Sequence, residues 1–184
     1  MEVLLVRLFV AVSVPSDISG RLSAMAGGLP GARWTRDKNF HLTLRFIGDI
    51  DEGVADDVDG ALLEIDAPPF DVSIAGIGYF GKAKTARALW AGVDTSEPLI
   101  RLQQKIESAM QRIGLAAEER KYAPHITLAR LKGTPQGRLE NFVTDHCDFR
   151  ARPVHVETFT LYSSFLSSSG AIYTPEVTYP LNTA

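Results

Sequence analysis

Two short segments of the chain repeat the same polar residues at the same spacing. Residues 41–44 read HLTL and residues 125–128 read HITL, so each segment has the order histidine, aliphatic, threonine, leucine. Such alternation is typical of a β-strand with one buried face. In each strand the imidazole and the hydroxyl would share one face, about 6.5–7 Å apart at a rise of ~3.3 Å per residue. The aliphatic side chains would anchor the opposite face in a core.

The repeated pair carries the groups that acid–base chemistry at phosphorus requires. Imidazole has an unperturbed pKa of about 6.5, so it donates or accepts a proton near neutrality. With His41 and His125 on opposite sides of a phosphorus atom, one ring activates a nucleophile and the other protonates the leaving oxygen. The hydroxyls of Thr43 and Thr127 can donate to non-bridging oxygens. This chemistry needs no metal and no cofactor, and it suits a phosphodiester with a poor leaving group, most naturally a strained cyclic one.

Two other interpretations of the histidines stay open. Each could be a structural residue, as a single histidine in a strand usually is. A metal site is the second alternative, but a zinc site takes three protein ligands, and neither motif has an acid or a cysteine beside its histidine. The one cysteine, Cys147, lies next to His146. We predict that His146 and His155, which stand in unmatched contexts, are surface or structural residues.

Strands and helices are mixed along the chain. Period-two alternation predicts strands over residues 40–47 and 125–131, which carry the motifs. Further strands are predicted at residues 7–13, 70–78 and 87–93, and a closing hairpin at residues 153–162 and 171–179. Helices are predicted at residues 16–26, 51–65 and 98–113. Because hairpins outnumber parallel crossover units, we predict an α+β fold with antiparallel sheet.

The composition is that of an ordinary folded protein. Of 184 residues, 45% are hydrophobic and 22% are charged, which suits one domain over residues 1–184. The net charge of −3 argues against a protein that coats nucleic acid non-specifically. One cysteine excludes an internal disulfide, and the apolar stretch at residues 8–16 is too short to span a bilayer. We therefore expect a monomeric, cytoplasmic protein with no membrane partner.

With these residues identified, the chain resembles the two-histidine (2H) phosphoesterases, in particular the LigT-like RNA 2′,3′-cyclic phosphodiesterases, historically called 2′-5′ RNA ligases. The resemblance extends over nearly the whole chain and follows the order of its segments. The matching segments are RLFVAV from Arg7, NFHLTLRFIGD from Asn39, ALWAGV from Ala88, LQQKIESAMQRIG from Leu102, YAPHITLAR from Tyr122 and the closing hairpin that begins LYSS at Leu161. Paired motifs in this order are highly specific.

The resemblance implies a fold of two interleaved lobes, with two antiparallel sheets, outer helices and pseudo-twofold symmetry around a central cleft. It also implies that RNA or nucleotide 2′,3′-cyclic phosphates are hydrolysed to 2′-phosphates. His41 would be the general acid that protonates the leaving 3′-oxygen, and His125 the base that activates water. Thr43 and Thr127 would hold the phosphate oxygens. Because the motifs are near twins, the sequence alone does not assign the two histidine roles.

Two arginines near the motifs carry different expectations. Arg130 matches the arginine that ends the family's second motif, where the resemblance implies a contact with the phosphate. Strict alternation puts Arg130 on the face opposite His125, so the strand must end, twist or bulge before it. Arg45 has the same parity as His41, so alternation lets it face the cleft. A plain surface charge is the alternative for each arginine.

Several residues bear on the choice of substrate. Tyr122, Trp34 and Phe46 are candidates for stacking on the bases of single-stranded RNA ends, with core packing as the alternative for each. Ser164 follows Ser163 where relatives often carry a charged residue, which predicts a different preferred RNA end if that position holds substrate. Two functions besides hydrolysis stay open: a non-catalytic module that binds nucleotides or RNA ends, and 2′-5′ RNA joining as the reverse reaction.

Overall fold

Residues 5–168 and 170–182 are described by the structure, a computed structural model, and within them the chain forms ten strands and four α-helices. The strands are β1 (Leu5–Ser13), β2 (Ala32–Trp34), β3 (His41–Asp51), β4 (Phe70–Val72), β5 (Ile74–Tyr79), β6 (Ala88–Val93), β7 (His125–Leu131), β8 (Val154–Val156), β9 (Thr158–Ser167) and β10 (Gly170–Pro180). The helices are α1 (Ser16–Ser23), α2 (Glu52–Leu63), α3 (Glu97–Arg112) and α4 (Gln136–Asp145). Short 3₁₀ turns lie at Asp37–Asn39 and Ala83–Thr85.

Most of the strands belong to one antiparallel sheet. Its order is β10-β9-β1-β3-β7-β6-β5, with β2 also paired to β7, and β4 and β8 form a separate two-stranded sheet. The predicted α+β class with antiparallel sheet is confirmed. The strands expected to form two lobes belong to a single sheet, because β3 and β7 pair at its centre through Leu42 and Ile126.

Helix α3 forms where its sequence pattern predicts it. The Ser96 hydroxyl caps the helix by accepting a hydrogen bond from Leu99 N at 3.4 Å, and proline occupies the first turn. One stripe of the helix is buried: Leu99, Leu102, Ile106, Ala109 and Met110. Burial of each large aliphatic side chain contributes about 1.5–3 kcal/mol, so this stripe fixes α3 against the back of β3.

Several elements differ from their predictions. The strand predicted at residues 70–78 is divided into β4 and β5, and the one predicted at residues 153–162 is divided into β8 and β9, with β4 and β8 in the small sheet and β5 and β9 in the large one. The sequence pattern does not predict α4, because Leu139 and Phe142 are its buried residues and so give too short an apolar stripe. The closing hairpin is longer than its alternation predicts, since β9 and β10 stay paired up to Ser167 and Gly170.

Both motif strands are irregular directly after the threonine. In β3 the register against β1 shifts between Thr43 and Arg45. In β7 the register against β6 shifts at the matching place, between Thr127 and Ala129. Two consecutive residues of each strand are therefore buried, and the residue after them returns to the face of the motif.

These bulges decide where the two arginines lie. Arg130 follows the buried residues of β7 and is exposed on the face of His125, so the required bulge is present. Arg45 is one of the buried residues of β3, so the expectation that it faces the cleft is wrong. Phe46 has the corresponding place on the motif face, where it pairs with Phe9 of β1.

Arg45 instead binds the elements behind the sheet. Its side chain, 8% exposed, donates from Nη1 to Phe46 O at 2.7 Å and from Nη2 to Ala116 O at 2.5 Å. Its Nε lies 2.6 Å from Glu107 Oε2 without hydrogen-bond alignment, so this contact with α3 is chiefly electrostatic. Since the segment after Ala116 leads into the second motif, Arg45 ties the strand of one motif to the approach of the other.

We predict that Arg45→Met lowers the free energy of unfolding by about 3 kcal/mol, the lower end for a buried ion pair broken on one side. The substitution keeps the aliphatic bulk but leaves the Glu107 carboxylate and the Ala116 carbonyl without the guanidinium. Urea denaturation followed by circular dichroism measures the change. The control is Arg101→Met, because Arg101 pairs with Glu97 on the exposed surface of α3, where a pair contributes less than about 1 kcal/mol. Equal losses in the two variants would contradict the prediction.

Candidate active site

The two motifs meet at the centre of the sheet on adjacent antiparallel strands. Leu42 pairs with Ile126, and these side chains are 2% and 1% exposed. In an antiparallel pair the flanking residues face each other crosswise. This register sets the histidine of each motif across from the threonine of the other, with all four polar side chains on one face. The predicted site residues that the structure brings together here are His41, Thr43, His125 and Thr127.

Backbone carbonyls hold both imidazoles in the same orientation. His41 Nδ1 lies 2.7 Å from Asn39 O, and His125 Nδ1 lies 2.7 Å from Ala123 O. A carbonyl oxygen only accepts, so each Nδ1 carries a proton and donates it. In the neutral ring the lone pair is then on Nε2, which is the nitrogen able to exchange a proton with a ligand.

An aromatic enclosure surrounds His41. The Phe9 ring lies 4.8 Å from the imidazole, and the Tyr173 ring meets it edge to face at 5.3 Å. Tyr162 stacks on Phe9 at 5.2 Å between ring centroids. We call these three rings the aromatic enclosure. They come from β1, β9 and β10, so both ends of the chain contribute to the surroundings of this histidine.

His125 has more open surroundings. Its ring meets Phe80 edge to face at 4.9 Å. Phe80 also packs against Trp90, at 5.3 Å, yet 47% of Phe80 remains exposed. The candidate site therefore has a closed side at His41 and an open side at His125.

The charge state of His41 reflects these surroundings. Burial lowers the pKa of His41 below its ordinary value, because the enclosure disfavours the imidazolium. The hydrogen bond to Asn39 O acts in the other direction, while the positive charges of His125 and Arg130 lower the pKa further. Since these charges act on His41, both groups lie close to it. A bound anion would offset them and raise the pKa of His41.

Arg130 is exposed on the motif face of β7. Its charge opposes the rise that burial causes in the pKa of Tyr173, and it also lowers the pKa of His41. This position suits contact with an anionic oxygen held between the two imidazoles.

Of the three aromatic residues considered for base stacking, the structure places one on the motif face. Phe46 lies there with 51% of its surface exposed. The Tyr122 hydroxyl donates to Thr43 O at 3.0 Å, and burial raises the pKa of this phenol, so Tyr122 joins the two motif segments structurally. Trp34 packs against Phe142 of α4 at 5.6 Å.

The sequence analysis missed the aromatic enclosure and left the location of Ser164 open. Ser164 pairs with Tyr173 in the closing hairpin, so both side chains face the site. Phe9 lies within a run of five buried residues in β1, and Tyr162 follows three buried residues of β9. Neither strand alternates there, so the face of the site is identified only when the pairing of β1 with β3 and β9 is known.

A cavity of about 370 Å³ opens beside His41. Its lining includes the aromatic enclosure and polar residues, among them Ser13 at the end of β1 and Asp37 and Lys38 in the first 3₁₀ turn. Ligand pockets commonly span about 300–1,000 Å³. This cavity can therefore take part of a small ligand, such as a ribose or a base, next to the enclosed histidine.

Within residues 5–168 and 170–182, no three His, Cys, Asp or Glu side chains are grouped so that they could hold a metal ion. None of the helices in that part of the chain has both the length and the apolar character needed to cross a bilayer.

Comparison with known proteins identifies relatives over nearly the whole chain. The family described as LigT like phosphoesterase matches residues 12–90 and 93–173. A Thermotoga maritima protein named RNA 2′,3′-cyclic phosphodiesterase is 32% identical over 173 residues, covering 91% of each chain. A Methanothermobacter thermautotrophicus protein of the same name is 29% identical over 177 residues, covering 92% of this chain and 95% of the relative.

Solved structures share the fold. The crystal structure of E. coli LigT complexed with 3′-AMP superposes with a TM-score of 0.79 at 24% identity, covering 98% of this chain and 100% of that one. The crystal structure of the Thermus thermophilus protein TT0787 superposes with a TM-score of 0.76 at 26% identity, covering 95% of this chain and 97% of that one.

Paired His-x-Thr motifs that face each other on one antiparallel sheet define the class of two-histidine phosphoesterases. The chain belongs to the LigT-like phosphoesterase family, which its sequence match and its fold both show. The family and the fold class predicted from the sequence are confirmed.

We predict that His41 titrates below the ordinary histidine pKa of about 6.5, because burial and two neighbouring cations disfavour its charged form. Arg130→Gln removes one of those cations, so the pKa of His41 should rise in that variant. NMR titration of the imidazole nitrogens measures both values. Arg112→Gln, which removes an exposed arginine on α3, is the control and should leave the pKa of His41 in place. A His41 pKa at or above about 6.5 in the unmodified protein would contradict the prediction.

Proposed function

We propose that this chain hydrolyses 2′,3′-cyclic phosphates at RNA ends or on nucleotides to 2′-phosphates by two-histidine acid–base catalysis. The observation that carries the proposal is the crosswise meeting of the two His-x-Thr motifs, with both Nε2 atoms able to exchange protons. The relatives named RNA 2′,3′-cyclic phosphodiesterase support this choice of substrate.

The reaction transfers two protons, one at each histidine. Neutral His125 accepts a proton at Nε2 from a water molecule, whose oxygen bonds to phosphorus as the bond from phosphorus to the 3′-oxygen breaks. Protonated His41 gives its Nε2 proton to that oxygen. The product has a 2′-phosphate and a 3′-hydroxyl, and the histidines have exchanged protonation states, which solvent then restores. Each positioned proton transfer contributes about 10²–10⁴-fold to the rate.

Binding of the phosphate prepares His41 to act as the acid. In the unliganded site the pKa of His41 is lowered by burial and by the charge of Arg130. The anionic phosphate, held by Arg130 and by the hydroxyls of Thr43 and Thr127, offsets that charge and so favours the imidazolium. His41 is thereby protonated when substrate is present, which its role requires.

The placement of the nucleoside follows from the leaving group. The 3′-oxygen that His41 protonates belongs to the ribose, so the ribose lies on the His41 side of the phosphorus. The cavity beside His41 is on that side and has the aromatic enclosure as one wall. The water attacks from the open side, near His125 and Phe80.

Four further statements are part of this proposal. They are that residues 1–184 act as one domain, that the reaction needs no metal, that the protein is a monomer, and that it acts in the cytoplasm on cleaved RNA or small cyclic nucleotides. Activity in the presence of a chelator tests the second statement, and loss of activity on chelation with recovery in zinc would favour the metal alternative.

We predict that His41→Ala and His125→Ala each lower kcat for 2′,3′-cyclic AMP by at least about 10²-fold, because each removes one proton-transfer group. Initial rates measured in chelator, with the product identified by ³¹P NMR as a 2′-phosphate, provide the test. His155→Ala is the matched control. His155 is an exposed histidine on β8 that contacts Asp71, and its loss should change kcat less than about twofold.

Circular dichroism and thermal melting establish that each variant is folded. Activity that survives both motif substitutions would refute the assignment of His41 and His125. Binding of 2′,3′-cyclic AMP by the unmodified protein without hydrolysis would favour the non-catalytic binding module instead.

We predict that a p-nitrophenyl phosphodiester of a nucleoside separates the two histidine roles. Its leaving group departs as a stable anion and needs no proton, so the general acid is dispensable. His41→Ala should therefore lose about tenfold or less on this substrate, whereas His125→Ala should still lose at least about 10²-fold. Steady-state release of p-nitrophenolate measures the rates. The reverse pattern would assign the acid to His125 and the base to His41.

A further inference from the structure

A second arginine stands beside Arg130 on the face of the site. Arg33 of β2 is the direct partner of Arg130 of β7 in their antiparallel register. Directly opposed residues in such a pair project from the same face, with their Cβ atoms about 4.5–5.5 Å apart. Both arginines are exposed. Trp34, the next residue of β2, points the other way and packs on α4, which agrees with this assignment of faces.

The guanidinium of Arg33 extends toward the closing hairpin. Its Nη2 lies 3.4 Å from the place where a Cβ on Gly170 would be. Tyr173, three residues along β10, is the residue that contacts His41. At about 3.3 Å per residue of extended strand, the Arg33 guanidinium therefore ends beside a part of β10 that lies roughly 10 Å along the strand from Tyr173. From His41 outward, the site face thus presents Arg130 and then Arg33.

These two cations have no acidic partner in the described part of the chain. None of the ion pairs within residues 5–168 and 170–182 includes Arg33 or Arg130. Neighbouring like charges repel each other, so the pair is best satisfied by a ligand with negative charge at both positions. Arg130 serves the reacting phosphate, which leaves Arg33 for a second anion beside it.

We propose that Arg33 binds the phosphate on the 5′ side of the terminal nucleotide, so that the site prefers RNA ends, or nucleotides with a 5′-phosphate, over cyclic nucleotides without one. The inference rests on the proposed function, because it takes the reacting phosphate to lie between His41 and His125. A polynucleotide has such a 5′-phosphate at its 3′-terminal nucleotide, whereas 2′,3′-cyclic AMP does not.

Binding of two product-like ligands tests this without turnover. Adenosine 2′,5′-bisphosphate differs from 2′-AMP by the 5′-phosphate alone, and isothermal titration calorimetry gives the ratio of their dissociation constants. We expect the unmodified protein to bind the bisphosphate about tenfold more tightly, a typical gain for a charge-assisted contact. Arg33→Gln should bring the ratio close to one, and Arg33→Lys, which keeps the charge, should preserve most of it. Arg112→Gln on α3 is the matched control and should keep the full ratio.

Salt dependence gives a second readout on an RNA oligomer that ends in a 2′-phosphate. Loss of one phosphate contact should reduce the slope of log affinity against log salt by about 0.7 in Arg33→Gln. A ratio near one in the unmodified protein, or an unchanged ratio in Arg33→Gln, would overturn the inference. If Arg33→Gln lost affinity equally for both ligands, the inference would also be overturned, since Arg33 would then act on the reacting phosphate or on the hairpin. If the ratio behaves as expected but cyclic nucleotides are not hydrolysed, the proposed function fails and the second phosphate site stands.

Discussion

The single antiparallel contact between Leu42 and Ile126 is the constraint on which the candidate site depends. It joins the two halves of the sheet and sets each motif histidine across from the threonine of the other motif. Both aliphatic side chains are buried, so a slip of one residue would carry the imidazoles into the core and the aliphatic groups into the cleft. The hydrophobic core behind the sheet therefore enforces the geometry of the polar groups in front of it.

The two halves of the site are built alike but hold different chemistry. Each motif strand bulges at the same place and then returns one side chain to the front of the sheet. In β3 that side chain is Phe46, whereas in β7 it is Arg130. The aromatic enclosure adds a second difference, because it desolvates His41 while His125 stays open. A repeated strand pattern thus produces a site in which the two histidines have different surroundings.

The elements that carry a local signal could be predicted from the sequence. The motif strands alternate strictly through their first four residues, and α3 has a cap, a proline in its first turn and a continuous apolar stripe, so both follow from periodicity alone. The wrong face predicted for Arg45 shows that periodicity fails where a strand is irregular. Alternation assigns a face only while a strand is regular, and the bulge that reverses the face after Thr43 arises from pairing with β1.

The rings that surround His41 could not be predicted from local sequence patterns, for a related reason. Phe9, Tyr162 and Tyr173 come from three strands that are distant in the sequence and adjacent in the sheet. Their positions depend on strand order, which is a property of the complete chain. Arg33 is similar, because its place beside Arg130 depends on the pairing of β2 with β7.

The closing hairpin has a consequence for how the protein is made. The Asn39 amide, two residues before the first motif histidine, donates to Ala171 O at 2.9 Å, and β9 completes the sheet by pairing with β1, the first strand of the chain. Synthesis on the ribosome delivers β9 and β10 after both motif strands. Until they emerge, β1 has an open edge and the imidazole of His41 faces water, so a nascent or truncated chain can hold both motifs and still lack the environment that tunes them. The surroundings of His41 are in this sense completed only after both motifs have been synthesised.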